Sequence, residues 1–285
     1  MNRKHLILLA LPALMLSGCN KEISAADAKA KAKEIEQHEV KAEDYKALSI
    51  SVETSDEVSG TQGNVQGTEK DEMKTTMEFS VDQNFIHVNS YMSSFDGDKT
   101  KAAEVEQWYF IKDAVFYAAT RNKEGDGTET KTYISVEGVA TTVQAAFNEY
   151  LNDVVKSVLK EAADKTYLQQ VEAMADGKTE AGSEYQVKYY TAGDGNLTVE
   201  GKGTFTDYEV EKGLKGSGSG SVKYAWDKYL LAEVSASMEI HVVDASSNTD
   251  LTMKMNMAEK LSFEVKVAQP DLSGYTKASL DSLLG

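Results

Sequence analysis

Residues 105–111 and 114–121, Val-Glu-Gln-Trp-Tyr-Phe-Ile and Ala-Val-Phe-Tyr-Ala-Ala-Thr-Arg, are two runs that flank Lys112-Asp113. Aromatic and β-branched side chains favour strands, and a short polar break between two such runs is typical of a hairpin. Strands joined by a short turn are antiparallel. This stretch therefore predicts an antiparallel sheet, and the sequence on both sides of it extends the pattern.

Apolar and polar residues alternate with a period of two over most of the remaining chain, as expected for strands with one buried face. The runs are 47–53, 73–81, 85–92, 131–137, 183–190, 197–205, 222–226, 230–243, 250–257 and 261–267. Residues 56–72 are polar and contain glycine, which predicts a connection between strands. Gly213–Gly220 has two interpretations, a flexible loop or a glycine-rich strand edge.

The period changes to 3.6 residues after Gly138, which predicts an amphipathic helix in the middle of the chain. Its apolar stripe contains Val139, Val143, Phe147, Tyr150, Val154, Val158 and Ala162, widened by Ala146, Leu151, Val155 and Leu159. A shorter helix is predicted over 165–175. Another is predicted after Ser24, which has the form of an N-cap with Asp27 three residues later.

The first 19 residues have the layout of a secretory signal. Arg3 and Lys4 give a positive start, and the apolar run 6–16 is too short to span a bilayer. Leu16-Ser17-Gly18-Cys19 ends the run and contains the only cysteine of the chain. This ending resembles the lipobox of bacterial lipoproteins. The resemblance implies that residues 1–18 are a signal peptide and that a diacylglyceryl group on Cys19 anchors the mature chain to the extracytoplasmic face of the cell membrane.

The chain is strongly acidic, with 46 Asp and Glu against 30 Lys and Arg and a formal net charge of −16. This charge repels nucleic acid and anionic headgroups, which excludes a nucleic-acid partner and a polybasic mode of membrane binding. No second apolar run approaches the ~20 residues of a spanning helix. The predicted membrane contact is therefore the lipid on Cys19.

Strands on both sides of a helical insertion, without βαβ alternation, predict an α+β fold on a large curved antiparallel sheet with an N-terminal helix. Residues 47–270 are expected to form one domain. Residues 19–46 precede it as the lipidated N-terminus and helix, and 271–285 follow as a C-terminal tail.

The sequence contains no motif of catalysis or cofactor binding. His38, His87 and His241 are far apart and lack the spacing of metal ligands. Gly216-Ser-Gly-Ser-Gly220 has its serines in the wrong register for a nucleophile elbow, and no helix is predicted after it. We therefore predict a non-enzymatic protein without a resident metal or cofactor.

Met253, Met255 and Met257 alternate along one predicted strand, so their side chains share a face. Thioether sulfur could bind monovalent copper, but that needs further soft ligands, and only Met238 and His241 are plausible neighbours. A buried core face is the favoured interpretation. A third interpretation is that this face of the strand binds variable apolar ligands, because methionine is flexible and polarisable. Met73 and Met77 could extend such a face.

A curved sheet covered by the central helix would enclose an apolar groove, the general form of a lipid or small-ligand site. The residues predicted to line it are Met238, Met253, Met255 and Met257 on the sheet and Val143, Phe147, Tyr150 and Val154 on the helix. The alternative is that the helix fills the groove and that nothing binds there.

The order of the elements resembles the LolA/LppX superfamily of half-barrel lipid carriers and related lipoproteins. The local likeness lies in residues 221–240, where a strand, a short turn with Asp227 and a longer return strand are similar to the later hairpins of that family. The resemblance implies a helix-lidded half-barrel that shelters acyl chains. We predict a membrane-anchored lipoprotein that binds a lipid or another hydrophobic ligand. The alternative is a structural or interaction lipoprotein of the cell envelope with a filled core.

Overall fold

A computed structural model of the chain describes residues 21–175, 183–211, 214–263 and 268–279. The predicted signal peptide (1–18), Cys19 and residues 280–285 of the predicted tail lie outside the described residues. Within those residues, thirteen strands form one open sheet, and three α-helices accompany it. The prediction of an α+β fold on a large antiparallel sheet is confirmed.

Most of the strands are much longer than the five or six residues typical of globular proteins. They are β1 (Lys21–Ile23), β2 (Ala47–Gln62), β3 (Val65–Ser80), β4 (Phe85–Phe95), β5 (Thr100–Lys112), β6 (Val115–Glu124), β7 (Glu129–Val136), β8 (Ser183–Thr191), β9 (Leu197–Glu211), β10 (Leu214–Asp227), β11 (Leu230–Asp244), β12 (Thr249–Ser262) and β13 (Thr276–Lys277). The helices are α1 (Ala25–Gln37), α2 (Thr141–Ala162) and α3 (Thr166–Ala175).

Two antiparallel meanders make up the sheet, one from β2 to β7 and the other from β8 to β12. They join where β12 pairs with β2, with Met257 opposite Thr54. Short strands occupy the two edges: β1 pairs with β8, and β13 pairs with β7 in the one parallel contact among the described strands. The meanders therefore place β7 and β8, which are consecutive in the chain, on opposite sides of the sheet.

Two segments differ from the sequence-based expectation. Residues 56–72, predicted as a connection, belong to β2 and β3, which are joined by a tight turn at Gly63. Their polar character is compatible with strands because most of these residues are exposed or half-buried. Leu214–Gly220 is neither a loop nor an edge strand, since it belongs to β10 between β9 and β11.

The helices lie on one face of the sheet, which we call the inner face, and α2 and α3 carry the chain across it from β7 to β8. Eleven strands at about 4.8 Å spacing are about 48 Å wide when flat. With 22 and 10 residues, α2 and α3 are together about as long, at 1.5 Å per residue. The ring of Phe147 in α2 packs edge-on against that of Phe116 in β6, with 6.2 Å between the ring centroids. The hydroxyl of Tyr224 in β10 donates a hydrogen bond to Gln170 of α3. The helical insertion thus extends from β6 to β10.

Helix α1 begins after Ser24, whose hydroxyl oxygen accepts a hydrogen bond from the backbone N–H of Asp27 at 3.1 Å. The face of α1 with Ala28, Ala32 and Ile35 is buried. It packs with α3 and with strands β8 to β11 in one of the two core clusters on the inner face. Small alanines on this face let α1 and α3 approach each other closely.

Helix α2 buries one side of its predicted stripe, the side on which leucine and valine widen it. Its buried residues are Leu151, Val155, Leu159 and Ala162. They pack against Leu48 of β2 and Phe79 of β3 in the second core cluster. These four residues are also spaced three and four apart, so they form a helical face of their own. Val143 and Tyr150, on the other side of the predicted stripe, are exposed.

The outer face of the sheet has a smaller aromatic cluster that includes Phe85, Trp108 and Phe110. Leu272 and Tyr275 of the C-terminal segment pack against it. The Tyr275 ring is edge-on to Trp108, with 6.2 Å between the ring centroids. Burial raises the pKa of the Tyr275 hydroxyl. The described part of the predicted tail therefore covers the outer side of β4 to β7.

Charged and hydrogen-bonding side chains form a ladder across the outer face next to this cluster. The ring of His87 lies between two carboxylates: its Nδ1 is 2.7 Å from Oε2 of Glu78, and its Nε2 is 3.0 Å from Oε1 of Glu106. Arg121 continues the ladder, because its guanidinium nitrogens lie 3.0 Å from a carboxylate oxygen of Glu106 and 2.7 Å from one of Glu129. Each carboxylate in the ladder thus has a nitrogen partner on a neighbouring strand, which favours this register.

Replacing Glu129 with glutamine is expected to make stability less sensitive to acid. Hydrogen bonds from Lys131 and Arg121 lower the pKa of Glu129 from 4.5 to about 2. A carboxyl with a lowered folded-state pKa stabilises the fold above its unfolded pKa, and this contribution is lost as the pH falls from about 4.5 to about 2. Urea titrations across this range should show a shallower loss of unfolding free energy for Glu129→Gln than for the parent chain. Exposed Glu149→Gln on α2 is the control, and equal slopes for the two variants would contradict the prediction.

Candidate functional site

Five methionine side chains lie together on the inner face, on the part of the sheet away from the helices. They are Met73 (β3), Met92 (β4), Met238 (β11), Met255 and Met257 (β12), and we call them the methionine patch. Met238 is directly opposite Met255, and Met73 is directly opposite Met92. Thr54 of β2 is opposite both Met73 and Met257, so it links the two groups.

Strand periodicity places the patch on the same face as the helices. Leu261 packs in the core cluster under α2 and lies four residues from Met257 on β12, so the two side chains point the same way. Direct cross-strand partners also share a face. Met257 is paired with Thr54, and Thr54 is paired with Met73. The methionines of both meanders therefore point to the inner face.

Two adjoining pockets of about 530 and 480 Å³ lie over the patch. Apolar and small residues of the larger pocket are Met238, Met255, Met257, Val222, Ala236, Phe205, Gly203 and Gly220. Those of the smaller pocket are Met73, Met92, Ala102 and Ala103. Thr54 and Asp56 line both pockets, so the two form one continuous surface. Each volume lies within the range of about 300–1,000 Å³ that is common for small-molecule sites.

Three side chains of the patch are unusually exposed for large apolar groups. Met73, Met92 and Met257 are 39%, 53% and 45% exposed. A single exposed apolar residue needs no explanation, whereas contiguous exposed apolar patches are typical of binding surfaces.

Of the carboxylates that border the patch, two lie directly opposite each other, and Lys101 of β5 lines the smaller pocket with them. Asp56 of β2 and Asp71 of β3 are direct cross-strand partners, and both are exposed. Neither forms an ion pair with another residue in the part of the chain that the structure describes. Like charges directly opposite each other destabilise a sheet, so a positive charge bound here would be favourable.

A further pocket of about 430 Å³ lies where α2 and α3 meet the sheet. Its apolar lining is Ile50, Val158, Ala162, Tyr167, Leu231, Ala232, Val234 and Leu261, and its acidic lining is Glu161, Asp164, Glu233 and Glu259. Val234 is two residues from Ala236, and Leu261 is four from Met257, on the strands that line the larger pocket. The inner face thus connects the border of the helices with the methionine patch.

The structure brings together three of the four methionines predicted for the groove. Met238, Met255 and Met257 line one pocket. Met253 shares their face and lies opposite Ile240 and Val58, outside the lining of that pocket.

The four helix residues predicted for the groove lie apart from these methionines. Val143 and Tyr150 are 53% and 57% exposed. Phe147 and Val154 pack against the core cluster between α2 and the sheet. None of the four lines either pocket over the patch. The physical reason is that the patch lies on the part of the sheet away from α2, which packs on the core cluster beneath it.

Sequence reasoning missed Met92, and of its two further candidates only Met73 joins the patch. Met77 packs under α2 instead. The alternation in 85–92 already places Met92 on the same face as Ile86 and Val88. The sequence alone does not show that Met92 of β4 lies directly opposite Met73 of β3.

The histidines lie elsewhere. The His241 ring hydrogen-bonds Asp250 at 2.8 Å on the outer face, and His38 stacks on Tyr229 at 3.6 Å. Within the described ranges, no group of three or more His, Cys, Asp or Glu side chains could hold a metal ion. No described helix has both the length and the apolar character needed to cross a bilayer.

No protein-family model matches the chain, and no curated protein is detectably similar to it in sequence. What the inner face can bind therefore follows from its own residues.

Proposed function

We propose that this chain is a lipid-anchored lipoprotein on the extracytoplasmic face of the cell membrane and that its methionine patch binds a lipid or another hydrophobic ligand. The role is binding rather than catalysis. The observation that carries the proposal is the patch itself: five thioethers on one face, three of them substantially exposed, beneath two adjoining pockets.

Methionine suits a site for variable apolar molecules. Its side chain has three rotatable bonds and a polarisable sulfur, so it adapts to irregular shapes at small cost. Burying apolar area is worth about 25 cal/mol per Å². A ligand that covered Met73, Met92 and Met257 would remove their exposed surface from water and gain from this effect.

The half-barrel and the relation to the LolA/LppX superfamily belong to the same proposal. A helical insertion that connects both sides of one antiparallel sheet across its inner face supports them. In such a half-barrel the ligand would lie on the inner face, beside the helices. Only Asn20 separates Cys19 from β1, so an acyl group on Cys19 would hold the β8 side of the sheet close to the membrane.

A structural or interaction lipoprotein is the second candidate, and the packing of α2 favours it. Leu151, Val155 and Leu159 fill the space between α2 and the sheet. An acyl chain therefore has no room at that position. A protein partner would then cover the methionine patch instead.

Photo-crosslinking in cells tests the two candidates together. A photoreactive amino acid at position 257 faces inward, whereas the same group at 256 faces outward from the same strand, so the two full-length variants are a matched pair. Mass spectrometry of the purified chain is expected to show lipid or other small apolar adducts at 257 and few at 256.

Other crosslinking results would favour the second candidate or contradict both. Protein adducts at 257 without lipid adducts would favour the interaction lipoprotein. Equal yields at 256 and 257, or no adducts at either, would contradict binding on the methionine patch.

A further inference from the structure

We propose that Met238, Met255 and Met257 form a binding site for a monovalent soft cation, Cu⁺ or Ag⁺. The proposal goes beyond the hydrophobic ligand and does not depend on it. It differs from the sequence-based expectation of no metal, because the structure places Met238, named from the sequence only as a plausible neighbour, directly opposite Met255.

The register brings the first two thioethers together. Met238 and Met255 are direct cross-strand partners on β11 and β12, and both line the larger pocket. Side chains in this relation have Cβ atoms about 4.5–5.5 Å apart. With three rotatable bonds on each side chain, the two sulfurs can converge on one ion between them.

Met257 provides the third thioether. It is two residues from Met255 on the same strand and diagonal to Met238, since its own partner on β11 is Ala236. Diagonal neighbours are about 7–8 Å apart, within reach of long side chains. Ala236 is small, so it leaves room above the strand for the methionine side chains. The three side chains line the same pocket, so their sulfurs can reach a common position in it.

The charge around the site suits a cation. Asp56 is the partner of Met255 on its other side, in β2, and Asp71 follows in β3. No lysine or arginine is among the residues that line the larger pocket. The two carboxylates lower the energy of a positive ion at the sulfurs.

The donor set selects the kind of metal. Thioethers are soft ligands that favour monovalent copper, whereas imidazole and carboxylate favour harder divalent ions. His241, the other neighbour considered from the sequence, is on the outer face with Asp250 and cannot join the site. The three thioethers therefore favour Cu⁺ and Ag⁺ over Zn²⁺, Ni²⁺ or Cu²⁺.

Silver is the better probe because Ag⁺ needs no reductant. The full chain with Cys19→Ser removes the only thiol, which would itself bind silver. Native mass spectrometry is expected to show one tightly bound Ag⁺ per chain. In the NMR spectrum of chain labelled with ¹³C at the methionine methyl groups, Ag⁺ should shift the signals of Met238, Met255 and Met257.

Two double variants locate the site. Mutating outer-shell partners of metal sites already costs about 10- to 100-fold in affinity, so removing two ligands in Met238→Leu/Met255→Leu should cost at least about a hundredfold. Met73→Leu/Met92→Leu removes the other cross-strand pair and should leave the affinity unchanged. Leucine keeps the volume and the apolar surface, so both variants should fold.

The proposal is overturned if the parent chain binds no Ag⁺, or if Met238→Leu/Met255→Leu binds Ag⁺ as tightly as the parent does. Equal loss in both double variants would also overturn it, because the site would then not be the one named. None of these results affects the crosslinking test, so the two proposals can fail separately.

Discussion

Replacing Gly218 with alanine is expected to lower the free energy of unfolding by about 3 kcal/mol, near the upper end of typical overpacking costs. A Cβ at this position would lie 1.9 Å from the carbonyl oxygen of Glu239 and 3.0 Å from the ring of Phe205. The first distance is well inside van der Waals contact with backbone, which cannot rotate away as a side chain can. Strands β10 and β11 would have to separate near the buried Ile240, the partner of Gly218.

Gly220 is the matched control, because it lies two residues along the same strand and faces the same way. A Cβ there would be 3.4 Å from the carbonyl oxygen of Ser237, an ordinary contact. Gly220→Ala is therefore expected to raise stability by about 0.4–1 kcal/mol, because alanine reduces the entropy of the unfolded chain. Urea denaturation monitored by circular dichroism measures both changes. Shifts of the same sign and size would show that the strands do not pack as closely as described.

Leu151→Ala is expected to destabilise the fold by about 3 kcal/mol, within the usual range for leucine truncation in a core. Leu151 is fully buried between α2 and the sheet. Alanine is the best helix former, so the loss would come from the cavity and the lost burial rather than from the helix itself.

The control for this prediction is Val143→Ala on the same helix. Val143 is exposed, so its truncation leaves no cavity, and alanine favours the helix more than valine does. The change in stability should stay within about 0.5 kcal/mol of zero. If Val143→Ala proved the more damaging variant, the side of the predicted stripe with Val143, rather than the side with Leu151, would be the buried one.

Local patterns were sufficient for the elements of this fold. The hairpin around Lys112-Asp113 forms β5 and β6, and the change of period after Gly138 marks α2. Residues 56–72 were harder to predict. A strand that is exposed or half-buried on both faces shows no clean alternation, and its length is set by its neighbours across the sheet.

The orientation of α2 and the methionine patch show the limit of sequence reasoning more clearly. The predicted stripe of α2 is wide enough to contain both Val143 and Leu151, and only the sheet beneath decides which side of it is buried. Met253, Met255 and Met257 share a face by periodicity alone. Their neighbours Met238 and Asp56 depend on register between strands, which one sequence does not determine.

The short edge strands have a consequence for whether two copies of the chain can join through their sheets. An open sheet exposes backbone donors and acceptors along both margins, and a second chain can add to them. On β7, which spans Glu129–Val136, the two residues of β13 pair with Thr132 and Tyr133 near the centre. Among the described residues, this pairing leaves an incoming strand only three residues of β7 on either side, and it would have to displace Thr276 and Lys277 to gain more. By interrupting that margin, the C-terminal segment discourages neighbouring copies from linking sheet to sheet into fibres.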